Sequence, residues 1–233
     1  MLDVRRHRSI FDPNNFSQHV HIVGCGGMGS RIAEGLVRMG LGGKDKSPIH
    51  LYDADIFESH NLTNQWTTFS RIGLRKVEST RSLIWEINPQ AEVFCEVVRL
   101  QESRKLSGVI FICVDSMNDR RLIIDEVLKH SEDITCVIET RMDAGVGISY
   151  CFDPNNEKHL DCWRMYWFPD VEADNMQGCG GNQSIISAIY ATTAIALRQF
   201  EQFARNKSTI GIQNRIYQDF DALTIKSEQW PTS

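Results

Sequence analysis

The amino-acid sequence predicts an α/β fold, a mostly parallel sheet flanked by helices, with an antiparallel C-terminal extension. Three observations carry this prediction. Val- and Ile-rich runs alternate with segments of helical periodicity, as βαβ units do. A glycine-rich turn, "VGCGGMGS" (Val23 to Ser30), joins the first apolar run to the first helical one. An aspartate, Asp53, closes the second apolar run, where such sheets place a carboxylate for ribose hydroxyls.

The elements follow in order. Strand one is "HVHIVG", ending at Gly24. Gly24, Gly26 and Gly29 have the G-x-G-x-x-G spacing, which allows a tight turn and a close approach of backbone to phosphate at a helix N-terminus. A helix from Met28 to Met39 carries Ile32, Leu36 and Met39 on one face, and "GLGG" (Gly40 to Gly43) ends it. Strand two is "IHLYD", followed by a polar loop from Asp55 to Arg71. A helix from Leu74 to Ile87 stops before Pro89. Strands "AEVFCEVV" and "GVIFICVD", a helix from Asp119 to Lys129 and strand "TCVIET" come next. After a turn at Asp143 to Gly145, "VGISYCF" is a further strand. Asp153 to Gly181 reads as an irregular loop with Trp163, Tyr166 and Trp167, and Gln183 to Arg205 as a long helix. "TIGIQNRIYQ" and "DALTIK" supply the closing strands. Residues 1–233 read as a single domain, with a nucleotide-binding core over about 18–140 and a C-terminal half over about 141–233.

Composition narrows the partners. The 233 residues are 42% apolar and 24% charged, enough to bury a sizeable core. A net charge of −5 argues against nucleic acid. No apolar stretch approaches the roughly 20 residues of a membrane span, and the N-terminus lacks a signal-peptide core, so a cytoplasmic location is expected. None of the seven cysteines forms a C-x-x-C pair, so neither a zinc ribbon nor a thioredoxin-type motif is expected, and most read as buried thiols.

Polar residues gather around the glycine turn: Asn61, Gln65, Lys76 and Asp115, with Asp53. Lys76 lies in the first turns of a helix, where a cation meets a triphosphate. Asp115 ends a strand, and one carboxylate with phosphate oxygens is a common way of holding Mg²⁺. An NAD(P)-dependent oxidoreductase would use the glycines and Asp53 but leave Lys76 and Asp115 idle.

In this order along the chain, "GCGGMGS" (Gly24 to Ser30), "DAD" (Asp53 to Asp55), "NLTNQ" (Asn61 to Gln65), "GLRK" (Gly73 to Lys76), "INP" (Ile87 to Pro89) and "DSMNDR" (Asp115 to Arg120) resemble the ThiF/MoeB/HesA family, which includes the adenylation domains of ubiquitin-activating enzymes. The resemblance runs from about Arg8 to Arg205. It implies a Rossmann-like fold and an ATP-dependent adenylyltransferase. Such an enzyme activates the C-terminal carboxylate of a ubiquitin-like or sulfur-carrier protein, or of a peptide, as an acyl adenylate.

Carried over by position, Gly24, Gly26, Gly27 and Gly29 line the nucleotide loop and Asp53 takes the ribose. Asn61, Asn64, Gln65 and Lys76 face the nucleotide, and Asp115 holds Mg²⁺. Arg8 matches an arginine that reaches the partner's active site in family homodimers, so a homodimer is expected. Relatives usually carry arginine where this chain has Asn64, and Arg31, Arg71 or Arg75 are the candidates to replace that cation. The same departure keeps open a degenerate binding protein without turnover. Of the cysteine pairs that hold zinc in many relatives, only Cys162 in "CWRM" has a counterpart, so no zinc is expected. Cys179, in "MQGCGGN", stands where some relatives keep an acceptor thiol, with a loop cysteine as the alternative. No catalytic-cysteine or ubiquitin-fold domain is expected after the core.

Overall fold

In the computed structural model, residues 2–43, 46–101, 105–128, 131, 133–143, 145–170 and 185–232 are described. Strand β1, Val20–Val23, is buried along its whole length because parallel partners and helices cover both of its faces. It pairs with β2 (Ile49–Tyr52) on one side and β4 (Gly108–Ile112) on the other. β3 (Val93–Glu96) extends the sheet beyond β2, and β5 (Ile134–Asp143) lies parallel to β4. From β5 the direction alternates: β6 (Val146–Phe152), β7 (Arg215–Asp219) and β8 (Thr224–Glu228) are antiparallel neighbours. The eight-stranded order is β3-β2-β1-β4-β5-β6-β7-β8. The mixed sheet is therefore the one expected, with its parallel half carrying the glycine turn.

The two faces of the sheet carry separate cores, as strand alternation requires. Val20, Ile22, Val109 and Phe111 meet α1 (Gly27–Arg38), α2 (Lys76–Ile87) and the long helix α5 (Ile186–Asn206). Val23, Tyr52, Ile110 and Ile112 face the other way, toward α3 (Met117–Leu122), its π-helical continuation Ile123–Val127, and α4 (Glu157–Met165). Helices α1 and α5 touch at Gly35, where an added Cβ would come within 2.3 Å of a Leu197 methyl. The N-terminal segment is tied down by Phe11 and Phe16, both packed on Phe200. Among the described residues, no helix is long and apolar enough to cross a membrane.

Two expectations change. The polar loop after β2 is not featureless: Ser59–Thr63 and Phe69–Arg71 form 3₁₀ turns. Within 153–181 a helix, α4, replaces the first part of the expected irregular loop. Its start is written in "PNNE": Asn156 is the N-cap, accepting from the amides of Lys158 and His159. Trp163 is consequently a fully buried helical residue rather than part of an irregular loop. Residues 171–184, including Cys179, lie outside the described residues. The thiols follow the expected pattern, with Cys25, Cys113, Cys136 and Cys151 all buried.

Candidate functional site

The glycine turn is built by close approach. Gly24 has φ +90°, its amide donates to the Tyr52 carbonyl at 2.8 Å, and an added Cβ would lie 2.8 Å from the Cys113 carbonyl oxygen. A Cβ on Gly29 would sit 1.8 Å from the Gly24 carbonyl oxygen, so this glycine lets α1 spring directly from the turn. Gly27 is closed over by Ile189 of α5 and the Asn64 carbonyl, at 2.9 and 3.2 Å from an added Cβ. Gly26 is different. Among the described residues, the nearest atom to its added Cβ is the Gln65 Nε2 at 3.9 Å, which leaves the turn open to them on that side.

Asp53, just past β2, binds this turn directly. Its Oδ2 accepts the Cys25 amide at 2.7 Å and its Oδ1 accepts the Asp55 amide at 2.8 Å. Both bonds are charge-assisted and fix the carboxylate beside the open turn. Lys76, the first residue of α2, sends its Nζ back to Asp55 Oδ2 at 3.1 Å, with only 11% of its side chain exposed. Arg75 donates to the Ala54 carbonyl at 2.8 Å, so it too lies on the Asp53–Asp55 turn. Arg71 points elsewhere, pairing with Glu86 of α2 at 2.5 Å. Arg31 pairs with Glu34 at 2.9 Å and stacks on Tyr190, 5.1 Å from the ring centre. Of the three candidate substitute cations, Arg75 is the one that touches the aspartate turn.

Asn61 and Gln65 divide in role. Asn61 is buried, and its Oδ1 accepts the Glu58 amide at 2.9 Å, while Glu58 and Asn61 cap the 3₁₀ turn reciprocally. That carboxamide builds the loop. Gln65 Oε1, by contrast, is a buried acceptor with no hydrogen-bond partner among the described residues, and the Nε2 of the same group flanks Gly26. A buried unpaired acceptor is costly, and a donor supplied by a ligand removes that cost.

Asp115 lies three residues past β4 and is exposed, with its Oδ1 accepting the Ser116 amide at 2.9 Å. The segment around it is held from beneath by a charge cluster that the sequence reading missed. Arg120 of α3 donates to the Val114 and Thr140 carbonyls and to Glu139 Oε1. Arg141 grips both oxygens of Glu139, at 2.7 and 3.0 Å, and Trp163 Nε1 donates to the same carboxylate at 2.6 Å. Glu139 is fully buried, and burial alone would raise its pKa. The Arg141 and Arg120 guanidiniums, with the Arg141 and Trp163 hydrogen bonds, outweigh burial and hold the pKa at about 2. The signal was present in the sequence: a glutamate inside the apolar run "TCVIET" demands buried cations. Asp170, also missed, accepts from Ser116 Oγ at 2.8 Å and from the Met117 amide at 2.5 Å, binding the residues that follow Asp115.

Arg8 stands apart. It pairs with Asp12 at 2.9 Å, and the neighbouring Pro13 packs on Gly40, beyond the C-terminal end of α1. The 12 residues of α1 put that end about 18 Å from the glycine turn. Within one protomer, Arg8 is therefore not brought to the site.

Comparison with known proteins fits this geometry. The ThiF family profile matches residues 14–229. The chain belongs to the ThiF family. Among curated relatives, an adenylyltransferase and sulfurtransferase UBA4 from Yarrowia lipolytica is 26% identical over 70% of this chain and 40% of its own length. An adenylyltransferase and sulfurtransferase MOCS3 from Drosophila grimshawi is 28% identical over 74% of this chain and 37% of its own. The chain thus spans about 40% or less of these relatives' length. Among solved structures, E. coli MccB with ATP superposes with a TM-score of 0.70 at 15% identity, covering 95% of this chain and 66% of that one. The Microcin C7 biosynthetic enzyme MccB with N-formylated MccA gives 0.72 at 15% identity, covering 96% and 67%. The ThiF-type, Rossmann-like fold is the one the motifs imply.

Proposed function

We propose that this ThiF-family chain is an ATP-dependent adenylyltransferase acting on the C-terminal carboxylate of a ubiquitin-like or sulfur-carrier protein, or of a peptide. The observation that carries the reading is the open side of the glycine turn at Gly26. It is bordered by the anchored Asp53 carboxylate and the unpaired Gln65 Oε1. The relatives' names support the reaction class, and solved structures of MccB hold ATP and N-formylated MccA.

In this reading the amides of the turn and the start of α1 receive phosphate oxygens, and Asp53 accepts the ribose hydroxyls. Gln65 donates or accepts beside the phosphate chain. Lys76 leaves Asp55 for the triphosphate, and Arg75 supplies the cation that relatives place at Asn64. Asp115 would hold Mg²⁺ together with phosphate oxygens, and the ion would supply charge neutralisation at the triphosphate. The carrier's carboxylate attacks the α-phosphorus, the bond to the pyrophosphate oxygen breaks, and an acyl adenylate forms. Catalysis is positioning and electrostatics, without a covalent role for the turn. In this reading a homodimer completes the site, Arg8 of one protomer serving the turn of the other. Cys179 is the proposed acceptor thiol for the activated acyl or sulfur group. The acidic chain works in the cytoplasm without nucleic acid.

The deciding experiment is ATP titration with and without Mg²⁺, on wild type and Asp115→Ala, with NAD as control. Mg²⁺-dependent ATP binding weakened about tenfold or more by Asp115→Ala is expected, a loss of about 1.4 kcal/mol. NAD binding without ATP binding would overturn the reading. Asn64 favours one second reading, a nucleotide- or carrier-binding protein without turnover. Carrier-dependent ATP–pyrophosphate exchange separates the two.

A further inference from the structure

At the end of β1 and β2 remote from the glycine turn, three imidazoles gather on one face of the sheet. His21 and His50 are register partners on β1 and β2, with ring centres 4.5 Å apart. His19 precedes β1 and, two residues before His21, shares its face. Its ring stacks 5.1 Å from that of His50, and His19 Nδ1 lies 3.0 Å from His50 Nε2. One ring nitrogen from each of the three lies within 4.8 Å of the other two.

We propose that His19, His21 and His50 form a binding site for an imidazole-preferring divalent transition-metal ion, of which Zn²⁺ is the simplest. The nitrogen spacing suits such an ion. Two ligand nitrogens on tetrahedral zinc, at bonds of about 2.0–2.1 Å, stand about 3.3 Å apart. His21 has the outer partner that metal-bound histidines use: its Nε2 lies 3.1 Å from the Ser107 carbonyl oxygen. Donating there, Nε2 leaves the lone pair on Nδ1, which now faces the Tyr52 hydroxyl at 3.0 Å. Only the proton of that hydroxyl rotates, so an ion on Nδ1 needs the Tyr52 ring to shift. Phe94, stacked 5.0 Å from His50, fixes that ring from the far side.

His19 is exposed and gives the ion a path from solvent. Three protein nitrogens leave a further position for water or another small ligand, the open arrangement of His₃ zinc sites. This site is separate from the cysteine pairs that hold zinc in relatives, and from the nucleotide turn. Three residues of β1 put His21 about 10 Å from Gly24.

The test uses the full chain without a histidine tag, stripped by chelator and dialysed against micromolar Zn²⁺, with bound metal counted by mass spectrometry. Co²⁺ in place of Zn²⁺ adds a visible ligand-field spectrum. One equivalent of metal is expected. His19→Ala, at an exposed position that leaves the fold intact by circular dichroism, should lower affinity at least tenfold and abolish the Co²⁺ band, as should His50→Ala. Cys162→Ser should change neither. No stoichiometric uptake, or uptake and spectrum unchanged in His19→Ala, would overturn the proposal and leave the three rings as a stacked sheet face.

Discussion

At the scale of single residues, the four glycines of the turn make different predictions. A Cβ on Gly29 meets backbone at 1.8 Å, so Gly29→Ala should destabilise the protein by about 1–3 kcal/mol in urea titration. Gly26 has negative φ with ψ outside the regular regions, and room for a Cβ among the described residues, so Gly26→Ala should cost less stability than Gly29→Ala while weakening ATP binding. Equal loss of stability in both variants would mean that Gly26 serves the fold alone. Asp53→Ala removes the charge-assisted bond to the Cys25 amide as well as a ribose acceptor. Calorimetry should show ATP affinity reduced by tenfold or more, consistent with about 1.5–3 kcal/mol for a hydrogen bond to a charged group. The glycine spacing and Asp53 were legible because such residues are required by backbone geometry. The roles of Asn61 and Gln65 were not, since two neighbouring carboxamides look alike until one is seen to cap a turn and the other is not.

Elements were legible wherever periodicity was clean. The parallel strands and α1, α2 and α5 emerged from apolar spacing, with ends shifted by up to three residues. α4 escaped because its buried face rests on only His159 and Trp163 in nine residues, too sparse a stripe to outweigh the surrounding polar residues. Its cap, Asn156, was the better signal. α3 is short, and its N-terminal residues are bound from a distance by Asp170, 53 and 54 positions away in sequence, which no local pattern reveals. Asp170→Ala should cost about 1 kcal/mol, the ordinary value of a lost helix cap, measured by thermal or urea denaturation. A change within a few tenths of a kcal/mol would show that Ser116 alone caps the helix.

For the whole molecule, the Glu139 cluster ties β5, α3 and α4 together beneath Asp115. Removing one member of a buried ion pair is severe, so Glu139→Gln should destabilise by about 3–5 kcal/mol at pH 7. The pH dependence has a definite sign. Glu139 titrates near 2 when folded, against an ordinary 4.5, so its contribution is complete above 4.5 and lost as pH falls toward 2. Wild type should therefore lose stability more steeply than Glu139→Gln over that acid range, as followed by urea midpoints. Parallel curves would deny the cluster its electrostatic role. The buried thiols have a practical consequence. Burial raises the pKa of Cys25 and Cys136 well above the thiol range, and that of Cys113 to about 11, so alkylating reagents reach them only when the chain opens. Cys25 and Cys113 flank the glycine turn, whereas Cys136 and Cys151 sit with sulfurs 3.5 Å apart in the neighbouring strands β5 and β6. The chain thus carries two built-in clocks, one timing the breathing of the turn and the other that of the sheet behind it, and a bound nucleotide should slow the first without touching the second.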